Sequence, residues 1–156
     1  MKNLILCVFL IFTLTSCATK NQKEILKLQS TENIEDKDIQ YKIGSLYFAD
    51  SRYKEAFDWI IKAGNQGNSE AQKELCIQYR IGWFVKSDNQ KAFEWCEKSA
   101  NLGNSSGQFL LGTFYQRGNS AVKQDYKKAK EWFDKACDGG NQDGCDNYKI
   151  LNEQGF

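Results

Sequence analysis

Three stretches of the chain are versions of one phrase: "WIIKAGNQGN" (59–68), "WCEKSANLGN" (95–104) and "WFDKACDGGN" (132–141), with their tryptophans 36 and then 37 residues apart. A second phrase precedes each of them, "IGSLY" (43–47), "LCIQY" (75–79) and "LGTFY" (111–115). Between the two phrases come Glu55-Ala56, Lys91-Ala92 and Lys128-Ala129, each alanine three residues before its tryptophan. A unit this short cannot enclose a core by itself. Copies at this period bury a shared core only by stacking, so the chain is restricted to a repeat array.

Within each unit the apolar spacing predicts two helical segments, A and B, joined by a loop. Ala71, Leu75 and Tyr79 recur every fourth residue in segment A of the second unit, as do Gly107, Leu111 and Tyr115 in the third. Ala92, Trp95 and Ser99, then Ala129, Trp132 and Ala136, make the stripe of segment B, and this is helical periodicity. The small residues Gly44, Cys76 and Gly112 let helix A approach its partner closely, and Gly67, Gly103 and Gly140, each followed by Asn, supply the stop after helix B. The predicted helices are 36–49, 52–65, 69–81, 88–101, 105–117, 125–138 and 142–153. The last, "QDGCDNYKILNE", continues the A pattern with Tyr148 at the leucine position and is expected to act as a cap. The chain has no proline, which suits helices throughout.

The pattern resembles the Sel1-like repeat, a longer relative of the tetratricopeptide repeat. Unit two carries the motif at Leu75, Tyr79, Gly82, Val85, Asp88, Lys91, Ala92 and Trp95, and departs from it at Cys76 and at Phe84, which replaces the loop glycine. Unit three carries it at Leu111, Gly112, Tyr115, Gly118, Val122, Asp125, Lys128, Ala129 and Trp132, with one residue inserted near Ser120. Unit one has a shorter loop, nine steps from Tyr47 to Ala56 against thirteen from Tyr79 to Ala92. The resemblance implies an all-α fold, a right-handed α-solenoid of antiparallel helix pairs, with units at about 36–68, 69–104 and 105–141 and a cap at 142–154. The whole repeat domain then spans 36–154.

Ahead of it the chain opens MKNLILCVFLIFTLTSCATK. One lysine, an apolar run of about eleven residues and then small residues is the pattern of a signal peptide, and the run is too short to span a bilayer of roughly 30 Å. Leu14-Thr15-Ser16-Cys17 resembles the bacterial lipobox, which implies a signal peptide at 1–16, cleavage before Cys17 and lipidation of that cysteine. Residues 17–35 are then expected to be the lipidated N-terminus and a tether. Two or three acyl chains anchor stably where one is marginal. Ala18, where an Asp would hold the protein at the inner membrane, points to the periplasmic face of the outer membrane in a Gram-negative envelope. Removing 1–16 takes one of the 21 basic residues, Lys2, and none of the 20 acidic ones. That balance gives no electrostatic reason to expect a nucleic-acid or anionic-membrane partner.

The residue inventory argues against catalysis. There is no histidine, so the commonest general base and metal ligand is missing. Ser51-Arg-Tyr-Lys54 and Ser120-Ala-Val-Lys123 read S-x-x-K and Ser87-Asp88-Asn89 reads S-D-N, elements of penicillin-recognising enzymes, but there is no K-T-G. Ten serines among eighteen lysines should yield roughly one S-x-x-K by chance. No catalytic residue, cofactor or metal is assigned. Tryptophans, tyrosines and the Ala and Gly positions are read as packing residues.

Apart from Cys7 in the signal and Cys17, four cysteines are left, an even number in an oxidising compartment. Cys137 and Cys145 lie eight apart across a helix–turn–helix junction, much as in the cysteine-rich Sel1-like subfamily. Of the three possible connectivities, spacing selects Cys137–Cys145 with Cys76–Cys96. The alternative is that Cys76 and Cys96 are buried thiols. Two cysteines without His make a poor zinc site.

In related arrays the concave face of the A helices binds partner peptides. Spacing puts Tyr41, Ser45 and Phe48, then Lys73, Ile77 and Arg80, then Phe109, Thr113, Gln116 and Arg117 on that face, a mixture like that of interface cores. The alternative for Ile77 and Phe109 is packing between units. The expected function is therefore that of a lipid-anchored protein-binding repeat protein. Periplasmic relatives that block secreted lipases make an immunity protein against such a toxin the specific expectation. The rival readings are an envelope assembly or regulatory scaffold, and penicillin-binding or weak β-lactamase-like activity.

Overall fold

The structure, a computed structural model, describes residues 19–156. The signal segment, Cys7 and Cys17 lie outside the described residues. Among the described residues eight helices follow in order: α1 (Lys20–Gln29), α2 (Lys37–Ala49), α3 (Tyr53–Asn65), α4 (Ser69–Ile81), α5 (Asn89–Asn101), α6 (Ser105–Arg117), α7 (Tyr126–Asp138) and α8 (Gln142–Glu153). No strand occurs among the described residues. Helices α2, α4 and α6 are the A helices, α3, α5 and α7 the B helices. Each A packs on its own B, each B on the next A, and α8 closes the array against α7. The result is an α-solenoid of antiparallel helix pairs.

The Gly-Asn dipeptide sets the joints between units. Gly67, Gly103 and Gly140 take φ of +85°, +82° and +83°, a left-handed conformation costly for any residue with a Cβ. The next residue caps the following A helix: the side-chain oxygens of Asn68, Asn104 and Asn141 accept from the backbone N–H of Ala71, Gly107 and Gly144 at 2.7, 2.9 and 2.8 Å. Asp88 and Asp125 cap α5 and α7 through the N–H of Lys91 and Lys128, both at 3.0 Å. Unit one has Arg52 at this place and no side-chain cap, consistent with its shorter loop.

The core is built from small-against-large pairs within each unit. A Cβ at Gly44 would lie 2.8 Å from Ile60, and one at Gly112 would lie 2.6 Å from the Phe133 ring. In unit two the same place holds Cys76 and Cys96, joined as a disulfide with Cα atoms 5.1 Å apart. The second bridge joins Cys137 to Cys145 with Cα atoms 4.5 Å apart, where α7 turns into α8. Ile60, Cys96 and Phe133 each follow a repeat tryptophan, and they are 6%, 0% and 0% exposed. The buried stripe of helix B is thus Ala92, Cys96 and Ser99, and Ala129, Phe133 and Ala136. It runs one residue away from the stripe drawn through Trp95 and Trp132. The tryptophans pack on the core at its edge, half-buried, each covered by the lysine three residues on: Lys62, Lys98 and Lys135 stand 4.4, 4.2 and 4.0 Å from the ring centroids of Trp59, Trp95 and Trp132. In α8 it is Leu151, 1% exposed, that enters the core, with Tyr148 packed beside it.

Within the segment expected to be the lipidated N-terminus and tether, 17–35, Lys20–Gln29 forms helix α1, which docks on unit one. Thr19 caps it through the N–H of Gln22 at 3.1 Å. Ile25 is fully buried with Ile43, Tyr47 and Ala56. Lys42 bonds Glu24 at 2.6 Å, and that hydrogen bond and charge hold the exposed Glu24 carboxyl below the usual range. The helix buries little apolar area, so periodicity alone does not reveal it.

Candidate functional site

All ten residues assigned to the A-helix face retain exposure, and none is buried. Six of them line two clefts, and Lys73, Ile77, Phe109 and Gln116 line neither. Tyr41, Ser45 and Phe48 of α2 line the first, about 140 Å³, with Ile60 of α3 and Glu74 of α4. Arg80 of α4 and Thr113 and Arg117 of α6 line the second, with Phe114, Gly118 and Asn119. Helices α4 and α6 touch directly, so these A helices stand on the closely spaced side of the array.

The electrostatics differ between the clefts. Beside the first, the half-buried Lys73 ammonium bonds Glu70 and the cleft's own Glu74, each at 3.0 Å. Burial works against its charge, but these two carboxylates outweigh burial and raise its pKa. Burial, then the Glu74 charge, raises the Tyr41 phenol. The first cleft therefore satisfies its own charges. The second does not: among the described residues neither Arg80 nor Arg117 forms an ion pair. Burial and the neighbouring Arg117 charge lower the Arg80 pKa, so each guanidinium stands in the field of the other.

Two face residues also serve the core. Ile77 packs against the cluster around Cys76 and Leu111, and the Phe109 ring lies 5.7 Å from that of Phe133. Truncating either one removes packing along with surface. Gln116 is half-buried, and its carbonyl accepts from Gln124 Nε2 at 2.8 Å.

Of the penicillin-enzyme elements, Asn89 Nδ2 donates to Ser120 Oγ at 3.2 Å on the surface. The Asp88 carboxylate is occupied as the cap of α5. No group of three or more His, Cys, Asp or Glu arranged for a metal occurs among the described residues. Nor is any helix among them long and apolar enough to cross a membrane.

In one further group of side chains spacing pointed only to Phe48. Phe48 at the end of α2, Tyr53 at the start of α3, and Trp83 and Phe84 in the α4–α5 loop form one aromatic cluster. Tyr53 stacks on Phe84 at 4.3 Å and Trp83 on Phe84 at 4.5 Å, and Phe48 meets Tyr53 edge-on at 5.3 Å. Trp83 is 62% exposed. The available signal was local: Phe84 stands where the repeat expects glycine, and Trp83 is the one tryptophan outside the repeated phrase.

The family model described as Sel1 repeat matches residues 40–68, 69–104 and 105–141. Among solved structures, a Sel1 repeat protein from Oxalobacter formigenes is similar at 28% identity and a TM-score of 0.75, over 82% of this chain and 98% of its own. A protective antigen present in uropathogenic Escherichia coli strains is similar at 25% identity and a TM-score of 0.75, over 83% of this chain and 29% of its own. Helicobacter pylori cysteine rich protein B shares the fold at 24% identity and a TM-score of 0.63, over 82% of this chain and 96% of its own. No curated protein sequence matches the chain.

Proposed function

Because the chain belongs to the Sel1 repeat family, we propose that it is a lipid-anchored envelope protein that holds a protein partner on its A-helix face. Sel1 repeats mediate protein–protein interactions, and the finer reading concerns where and with what. The observation that carries it is the second cleft, where Arg80 and Arg117 stand together and form no ion pair among the described residues. Like charges left side by side are relieved by an acidic group from outside, and guanidinium binds carboxylate in a fixed geometry. The partner is therefore an acidic segment of another protein, with Tyr41 and Ser45 of the first cleft adding contact area.

Arg80→Glu combined with Arg117→Glu is expected to weaken capture of the partner at least tenfold, or about 1.4 kcal/mol. Both side chains are exposed, so circular dichroism and melting should stay unchanged. The partner is obtained by pull-down of envelope and secreted proteins, and affinity is measured by titration calorimetry. Normal affinity in the double variant would remove the second cleft from the binding face.

The anchor rests on the lipobox at Leu14–Cys17. Cys17→Ala is expected to abolish labelling by a clickable fatty acid and move the protein from the membrane fraction to the soluble one. Unchanged labelling would remove the anchor. The specific partner proposed is a secreted lipase, which the protein would block as an envelope immunity protein. Its support is the likeness to periplasmic Sel1-like lipoproteins of that role. Inhibition of a purified candidate lipase by equimolar protein, lost in the Arg80/Arg117 double variant, is the expected result.

A further inference from the structure

We propose that the Phe48–Tyr53–Trp83–Phe84 cluster is a membrane-interface contact that lays one edge of the solenoid on the lipid surface beside the anchor. The proposal rests on the reading of Cys17 as the lipidated residue.

The first observation is the cluster itself. Four rings from three separate elements are in mutual contact, with Trp83 5.6 Å from Tyr53 and 6.4 Å from Phe48. Trp83 remains 62% exposed, and Ile81, two residues before it, 61%. A contiguous apolar patch on a protein surface marks something that covers it. Tryptophan and tyrosine, apolar bodies with one polar handle, suit the headgroup level of a bilayer.

The second observation says what covers it. The start of the described chain is tied to the turn that carries the cluster. Thr19 Oγ1 donates to Asp50 Oδ2 at 3.3 Å and Asn21 Nδ2 to Asp50 Oδ1 at 2.8 Å. Arg52 Nη1 donates to Gln22 Oε1 at 3.1 Å. Asp50 and Arg52 stand between Phe48 and Tyr53 in sequence. Cys17 is two residues before Thr19, and two extended residues reach at most about 7 Å. Acyl chains on Cys17 therefore enter the bilayer next to this turn, whichever way the two residues run. A patch tethered that closely meets the lipid surface at high effective concentration. The mature chain's charge is balanced overall, but the exposed Lys20, Lys54 and Lys86, next to or near Thr19, Tyr53 and Phe84 in sequence, put a local set of cations beside the patch. A long flexible tether would have released the body from the surface. Helix α1, docked on unit one, removes that freedom.

The test uses the full-length lipidated protein in vesicles of phosphatidylethanolamine and phosphatidylglycerol, with and without lipids spin-labelled near the headgroup. The Trp83 emission is taken as the difference between the protein and its Trp83→Phe variant, with Trp83→Tyr as a second subtraction should the first misfold. The expected result is that the labelled lipid quenches at least half of the Trp83 emission, and that iodide in the buffer reaches Trp83 several-fold less than it does in detergent-free buffer after Cys17→Ala. If Cys17 carries its acyl label but Trp83 stays unquenched and open to iodide, the anchor stands and the membrane contact is refuted. If Trp83 is shielded from iodide yet unquenched by lipid, a second copy of the chain covers the patch and the proposal is equally refuted. A chain without acyl label refutes the anchor reading, and this inference with it.

Discussion

Phe133→Ala is expected to lower the unfolding free energy by about 3–5 kcal/mol, the range for deleting a buried aromatic ring. Phe133 is 0% exposed and heads the fully buried side chains by volume. It fills the space left open by Gly112, where a Cβ would come within 2.6 Å of the ring, and Ala129 and Leu151 close the cluster around it. Helix backbones on both sides are held by their own hydrogen bonds and cannot collapse into the gap, so the cavity persists. Native domains are stable by about 5–15 kcal/mol, so one substitution removes a large part of that. Urea unfolding followed by circular dichroism should show a lower midpoint at unchanged slope. Trp132→Ala, at the half-buried neighbouring position, should cost clearly less. A larger loss at Trp132 than at Phe133 would show that the deeper stripe has been misassigned.

Removing both disulfides is expected to cost about 5.5 kcal/mol in all. Loops closed over separations of 20 and 8 residues give ~3 and ~2.5 kcal/mol by loss of chain entropy in the unfolded state. The comparison is between unfolding curves with and without a reductant, alongside Cys76→Ala/Cys96→Ala and Cys137→Ala/Cys145→Ala. The packing also predicts a substitute for the longer bridge. Units one and three place Gly44 against Ile60 and Gly112 against Phe133 where unit two has Cys76 bonded to Cys96. Cys76→Gly with Cys96→Phe should therefore hold unit two under reducing conditions better than Cys76→Ala/Cys96→Ala does. Equal stability of the two variants would mean that the bridge is not a replacement for the small-against-large pair.

Much of the fold is legible before any coordinates are considered, because the deciding interactions are local. Seven helices lie within a residue of the spans predicted from spacing, since Gly-Asn both ends one helix and caps the next within two residues. Helix α1 was not legible. Its sequence KNQKEILKLQ has good helix formers but one fully buried residue, Ile25, and only the groove of unit one gives that residue a place to go. Spacing put the ten A-face residues on one side of the A helices, but it did not show that Glu74 of the first cleft is paired with Lys73 while Arg80 and Arg117 of the second form no ion pair among the described residues. That difference depends on which carboxylates, Glu70 and Glu74, come within reach of which cation.

By itself, then, the sequence determined the period, the helix limits and the small position on each A helix, because caps, left-handed glycines and apolar periodicity act within a few residues. Tertiary structure decided which side chain of helix B meets that small position. A helical stripe read from periodicity is wide enough to accommodate either Trp132 or Phe133, and only the approach of the two helices at Gly112 selects the phenylalanine and leaves the tryptophan at the edge under Lys135. The aromatic cluster has the same origin. Phe48, Tyr53, Trp83 and Phe84 belong to different units, and no local rule relates them until stacking brings two neighbouring A–B turns together.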